Sequence, residues 1–237
     1  MTYEKEVEDE DEEGYADWLV ILKKKKDRNI EDVLKRFKPN LLKKKKPKLS
    51  LECEQSEKYS TFTDYRDGKV YKTVKIGNQV WMAENLGYPI GGVYYNDEHA
   101  YGKKYHLLYD WNAAMRACPE GWHLPSQEEW NTLIVSVGGW LVAGKKLKAK
   151  SGWGSENRAA CRGTDDFGFA ALPGGFGIAS RNSIEFQGAG NDGYWWSSSD
   201  VNGWYAYNNY IRLYEKSMLN EVNSKKSRLF SVRCIKN

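Results

Sequence analysis

The sequence has no long hydrophobic run. No apolar stretch approaches the ~20 residues that cross a bilayer as a helix, so no transmembrane segment is expected. A basic start followed by an apolar segment is also missing: Met1 leads into Glu4, Glu6, Glu8 and Asp9, and no signal peptide is expected on that reading. Histidine is scarce, with three in 237 residues (His99, His106, His123), and cysteine stands only at Cys53, Cys118, Cys161 and Cys234. None of these forms a CxxC or a Cys/His cluster, so no metal site is expected. An even cysteine count fits two disulfides in an oxidising compartment, and equally four buried thiols in the cytosol. Net charge is small where most of the chain lies. The first 48 residues carry 14 of the 36 Lys+Arg and 12 of the 32 Asp+Glu, leaving 22 basic and 20 acidic side chains beyond. That remainder is not a polyanion binder by bulk charge, and no nucleic-acid contact is expected from it.

What is present divides the chain into three. Residues 4–13 hold eight acidic side chains and one lysine, a block that repels itself and buries nothing, so residues 1–14 read as a disordered acidic tail. Residues 15–60 read as a basic extension or docking segment. It opens on the apolar run Trp18-Leu19-Val20-Ile21-Leu22. Ile30, Val33, Leu34 and Phe37 then recur at helical spacing, with Asn29 placed to cap and Pro39 to stop the helix. Residues 23–48 carry 13 basic and 3 acidic side chains. The segment lacks interleaved aromatics that would stack bases. It reads as a solvated linker, with docking to an acidic partner as the open alternative.

From Thr61 to Asn237 the pattern becomes strands and turns, in a chain that is 14% aromatic with ten Trp and 22 glycines over its whole length. Val70, Val74 and Ile76 alternate with Tyr71, Thr73 and Lys75, and Gly77-Asn78 turns the chain into Gln79-Val80-Trp81-Met82, a hairpin. Asp110 opens a short helix through Ala117, closed by Cys118-Pro119. Ser126-Gln127-Glu128-Glu129 is a capping box, in which the Ser126 hydroxyl accepts from the Glu129 amide and the Glu129 carboxylate accepts from the Ser126 amide. Trp130, Leu133, Ile134 and Val137 make one apolar face, and Gly138-Gly139 ends that helix. After Gly152 the expectation is short strands and long loops, with irregular backbone between Trp196 and Phe230. Two short helices among antiparallel strands define an α+β domain.

Five separated blocks carry a resemblance. Lys75-Ile76-Gly77-Asn78-Gln79-Val80-Trp81-Met82-Ala83-Glu84-Asn85-Leu86, Leu108-Tyr109-Asp110-Trp111-Asn112-Ala113-Ala114, Cys118-Pro119-Glu120-Gly121-Trp122-His123-Leu124-Pro125-Ser126, Gly193-Tyr194-Trp195-Trp196-Ser197-Ser198-Ser199 and Phe230-Ser231-Val232-Arg233-Cys234 occur in order. Together they resemble the Fibrobacter succinogenes major paralogous domain. The resemblance runs from about Thr61 to the C-terminus and implies a C-type-lectin-like domain, in which first and last strands pair and long loops present a binding surface. It implies an extracellular or cell-surface bacterial protein, with a cytoplasmic location as the alternative that the acidic start favours. It further implies that Cys118 and Cys234 are bridged, closing a loop on the order of 100 residues and contributing ~4 kcal/mol when oxidised. Cys53 and Cys161 match no position of the family.

Tyr194 to Tyr214 contains eight aromatics in 21 residues, together with serines and asparagines. These are the residue types of evolved binding loops, where rigid rings give contact area at small entropic cost and short polar groups adapt their hydrogen bonds. The candidate ligand-binding set is Asp200, Asn202, Trp204, Tyr205, Tyr207, Asn208, Asn209 and Tyr210, facing a protein or glycan ligand, whereas Trp195 and Trp196 read as packing. The segment is also similar in placement to the variable regions of lectin-fold targets of diversity-generating retroelements. Asp165-Asp166 and Asn191-Asp192 read as turn residues and not calcium ligands, since no Glu-Pro-Asn, Gln-Pro-Asp or Trp-Asn-Asp motif is present. The fold that the resemblance implies includes a sulfatase-activating oxidase, which works through reactive cysteines. Here Cys161 has basic Arg162 beside it but neither a second cysteine nor a histidine near in sequence. His123 reads as a structural hydrogen-bonding group at a helix entry. No catalytic residue and no cofactor is expected. Two functions follow: an adhesin-like binding module, or an assembly component docked through its charged N-terminal arm.

Overall fold

A computed structural model of the chain describes residues 58–154 and 162–237. The expectations for the acidic tail, for the helix and basic run of the extension, and for Cys53 and Cys161 lie outside the described residues. The chain divides into two units, Met1–Glu54 and Gln55–Asn237, and the description concerns the second. It is an α+β domain in which antiparallel pairing dominates.

The first sheet is built on β1 (Ser60–Asp64), β2 (Lys69–Ile76) and β3 (Gln79–Met82), a meander. The turn between β2 and β3 needs Gly77, whose φ of +59° an L side chain adopts only under strain. The sheet continues β12 (Ile235–Lys236) then β5 (Trp122–His123), so the last strand lies between β3 and β5. Ile235 pairs with Trp81 on one side and His123 on the other. Beside this junction Cys118 is bonded to Cys234, the pairing that the resemblance implies.

The second sheet runs β10 (Leu219–Lys225), β9 (Tyr205–Arg212), β8 (Asp192–Asp200), β11 (Arg228–Ser231), β6 (Gly174–Ala179) and β7 (Ile184–Ala189), with β4 (Leu108–Tyr109) on β11. Alternation along β8 sends neighbouring side chains to opposite cores. Trp195 joins a cluster with Trp81, Trp130, Phe169 and Leu133, while Tyr194 and Trp196 join another with Tyr109, Phe230 and Val232. Tilted and edge contacts at 4.8, 5.7 and 6.2 Å link Trp81, Trp130 and Phe169, each such pair adding ~0.5–1.5 kcal/mol beyond buried area.

Four α-helices are described: α1 (His99–Tyr105), α2 (Trp111–Ala117), α3 (Gln127–Ser136) and α4 (Trp140–Leu147). α2 is capped by Asp110, whose carboxylate accepts from the Ala113 amide at 2.7 Å. α3 carries the expected capping box. The sequence pattern predicts only α2 and α3. It also predicts irregular backbone over 196–230, where β9 and β10 form, because their polar residues find buried partners in the neighbouring elements.

Two cations are buried in this frame. Lys148 donates to the carbonyls of Arg212, Leu213 and Glu215 at 2.6, 2.8 and 2.7 Å, pinning the chain after β9. Arg233 donates to the Phe169 carbonyl and to Asn85 Oδ1, and lies 4.2 Å over the Phe169 ring. Full burial pulls its pKa down to about 9.

Candidate functional site

The β8–β9 hairpin carries the sequence-predicted residues and sorts them into two groups. At its tip, Val201, Asn202, Gly203 and Trp204 link Asp200 to Tyr205. The tip is ordered by its own hydrogen bonds. The Asn202 side-chain oxygen accepts from the amides of Trp204 and Tyr205 at 2.9 and 3.1 Å, a use to which a short amide side chain is suited. The Tyr205 carbonyl accepts from the amides of Val201 and Asn202, and the Trp204 carbonyl accepts from the Lys226 amide at 3.0 Å. On this fixed backbone the Trp204 side chain stands 80% exposed, with Val201 at 40% beside it in sequence.

The shoulder of the tip joins Asp200 to two residues outside the predicted ligand-binding set, Lys226 and Trp111. Lys226, in the turn after β10, pairs with the Asp200 carboxylate at 2.8 Å and sits 4.1 Å over the Trp111 ring. Trp111 in turn donates Nε1–H to the Ser197 carbonyl and its amide to the Lys226 carbonyl. An aromatic, a cation and a carboxylate thus share the flank of the tip. No sequence signal tied Lys226 to Asp200, since the pairing arises only when β10 returns beside β9.

The other predicted residues lie along β9, away from the tip. Asn208 and Asn209, expected to face a ligand, are fully buried, and that expectation is corrected. Asn209 exchanges hydrogen bonds with Gln127 of α3, Nδ2 to Oε1 at 3.1 Å and Nε2 to Oδ1 at 3.2 Å. Asn208 donates to Ser224 Oγ at 2.7 Å across to β10. Burial without such partners would cost each amide on the order of 2–7 kcal/mol, so Asn208 ties β9 to β10 and Asn209 ties β9 to α3. Tyr210 is half-buried, stacked 5.4 Å from Tyr194 and 4.9 Å from the Arg212 guanidinium. Tyr205 and Tyr207 are half-buried on β9. The tip therefore brings together Asp200, Asn202, Trp204 and Tyr205, and leaves Tyr207, Asn208, Asn209 and Tyr210 in the sheet.

His123 is held on both sides, by Asn237 Oδ1 at 2.6 Å and by the capping-box carboxylate of Glu129 at 2.8 Å, the structural placement expected of it. Asp165 Oδ1 accepts from the Ala170 amide at 2.9 Å, the turn placement expected of it, while the Asn191 amide donates to the Gly188 carbonyl in the turn from which Asp192 opens β8. Among the described residues no group of three or more His, Cys, Asp and Glu is placed to hold a metal ion. No helix among them is long and apolar enough to cross a membrane.

Fold and site together define a disulfide-closed α+β domain that presents an aromatic-tipped hairpin. The family model described as Fibrobacter succinogenes major domain matches residues 74–236, more than half of the chain. The chain belongs to that family. No curated protein and no solved structure matches it.

Proposed function

We infer that the domain is a non-catalytic, adhesin-like recognition module that seats a protein or glycan ligand on the β8–β9 tip, with Trp204 as its anchor. One observation carries this reading: an indole 80% exposed on a backbone fixed by its neighbours' hydrogen bonds. Such a ring loses little conformational entropy when it is covered, and anchors of this kind cost ~2 kcal/mol or more when truncated, about 30-fold in affinity. Half-buried Tyr205 and the Asp200–Lys226 pair supply the polar rim. The first and last described strands sharing one sheet support a C-type-lectin-like reading of the fold. The Cys118–Cys234 bond supports an oxidising compartment, hence the cell surface or exterior. If the segment is a retroelement target, its interchangeable positions are the exposed ones, Asp200, Val201, Asn202 and Trp204; a near-copy of the coding stretch beside a reverse transcriptase gene is the test.

Binding of the full chain to glycan and protein arrays, with and without Trp204→Ala, tests the proposal. The variant is expected to lose its hits at unchanged melting temperature. Hits retained at full affinity would refute it. The second reading, docking through residues 23–48 with their 13 basic side chains, predicts instead that neutralising Lys23–Lys26 and Lys43–Lys46 to Gln abolishes capture while Trp204→Ala does not.

A further inference from the structure

A recess elsewhere on the domain shares no residue with the hairpin tip. It is a cleft of about 230 Å³ lined by Lys69 at the start of β2, Gly87 after β3, Tyr94, His99 and Lys103 around α1, and His106 and Leu107 after it. Three of these side chains besides His106 are basic, and none of the lining residues is acidic. The recess is small. Sites for drug-sized ligands run to ~300–1,000 Å³, so this one accommodates a single compact group.

The floor is a relay. Lys69 Nζ lies 2.9 Å from His106 Nδ1, and His106 Nε2 lies 3.4 Å from Glu84 Oε2. An ammonium only donates, so Nδ1 accepts and the imidazole proton sits on Nε2, facing Glu84. Glu84 is tied on its far side to the Lys72 amide at 2.9 Å and is not among the lining residues. Lys69 spends one N–H on His106 and faces the Tyr71 ring at 4.6 Å, which leaves a third N–H for the cleft. Half-burial pulls the Lys69 pKa below that of an ordinary lysine, a cost that an anion in the cleft would relieve.

The walls are preformed. Tyr94 and His99 lie ring against ring at 4.6 Å. Gly102 leaves room for the Tyr94 ring against α1, where a β-carbon would collide with it. His106 holds φ +66°, ψ −141°, a backbone region costly for any side chain, and its ring is gripped from both sides. Gly87 keeps the floor open, because a β-carbon there would sit 2.7 Å from Lys69 Nζ and 3.2 Å from His106 Nδ1.

We propose that this cleft binds the carboxylate of an acidic sugar, a uronic acid residue, with the carboxylate on Lys69 and Lys103 and the sugar ring against Tyr94 and His99. Charge-assisted hydrogen bonds supply the anion selectivity. The aromatic wall supplies apolar contact to the C–H face of a pyranose, and the ring nitrogen and phenol hydroxyl supply partners for its hydroxyls. The assignment is independent of the hairpin reading.

Saturation-transfer NMR on the full chain tests it with four probes: methyl glucuronide, methyl glucoside, inorganic phosphate and N-acetylglycine. The expected result is saturable binding of the glucuronide, with the glucoside, which lacks the carboxylate, weaker by at least about tenfold, the value of one hydrogen bond to a charged group, and with phosphate and N-acetylglycine, which lack the pyranose ring, weaker as well. Lys69→Met is expected to weaken glucuronide binding by about tenfold or more. Gly87→Ala and the surface change Lys103→Gln, which leave the core untouched, are expected to weaken it severalfold and keep the test decisive if Lys69→Met fails to fold. Trp204→Ala is expected to leave it unchanged, so that failure here and failure of the hairpin reading are told apart. Absence of saturable glucuronide binding, equal binding of phosphate, glucoside or N-acetylglycine, or undiminished binding in Gly87→Ala and Lys103→Gln would overturn the assignment.

Discussion

Truncating Asn209 to Ala tests whether β9 is scaffold or ligand surface. Asn209 and Gln127 are both buried and exchange two hydrogen bonds. In the variant the Gln127 amide nitrogen keeps Asn131 Oδ1 at 3.2 Å, while Gln127 Oε1 is left dry. Each lost hydrogen bond is worth ~0.5–1.5 kcal/mol net, and a stranded buried acceptor costs ~1–3 kcal/mol. The expected destabilisation is therefore ~2–3 kcal/mol, or about 4–12 °C in melting temperature for a domain of this size. Gln127→Ala should cost a similar amount, and the double variant should fall short of the sum by ~1–2 kcal/mol, because the second change removes atoms that the first had stranded. Urea unfolding followed by tryptophan fluorescence and far-ultraviolet dichroism reads all three. An Asn209→Ala protein that melts with the wild type but binds ligand more weakly would refute the scaffold assignment.

Three further outcomes follow from the same structure. Cys118→Ser with Cys234→Ser, or reduction of the wild type, is expected to lower stability by ~4–5 kcal/mol, since it releases a closure across 116 positions; an unmoved urea midpoint under reductant would contradict this. Asp64 is buried, which by itself raises its pKa, but hydrogen bonds from the Arg66 side chain and amide outweigh that and hold the folded-state value below the ordinary one. Its contribution is thus complete above the unfolded carboxyl pKa, about 4, and lost as pH falls through the folded value, so Asp64→Asn should flatten the acid limb of a stability–pH curve, and an unchanged limb would count against it. Lys148→Met keeps the apolar stem but strands the Leu213 and Glu215 carbonyls, with an expected loss of ~2–4 kcal/mol and faster amide exchange over residues 212–218.

The parts of the fold legible in the sequence are those whose signal is local. The β2–β3 hairpin announces itself by alternation and Gly77-Asn78, and α3 by Ser126 and Glu129. The helices missed, α1 and α4, each contain an interior glycine, which reads as a breaker. Their glycines serve close approach instead, to the Tyr94 ring at Gly102 and to the Ser217 carbonyl at Gly144. β9 was missed because Asn208 and Asn209 have low strand preference, and their compensation lies 16 and 82 positions away at Ser224 and Gln127. The same separation explains the site. Asn202 and Trp204 are legible as candidate ligand contacts by residue type, whereas Lys226 beside Asp200 depends on how β10 returns. The cleft at Lys69 and His106 gathers residues from β2, the segment after β3 and α1, and no window of sequence holds them together.

The place of β12 governs the order of assembly. Because Ile235 fills the slot between Trp81 and His123, the first sheet stays gapped until the ribosome has released residue 236. During synthesis β3 waits with an unpaired edge, and Cys118 waits for Cys234. A chain truncated before Ile235 should therefore be easily proteolysed despite containing nearly every core side chain.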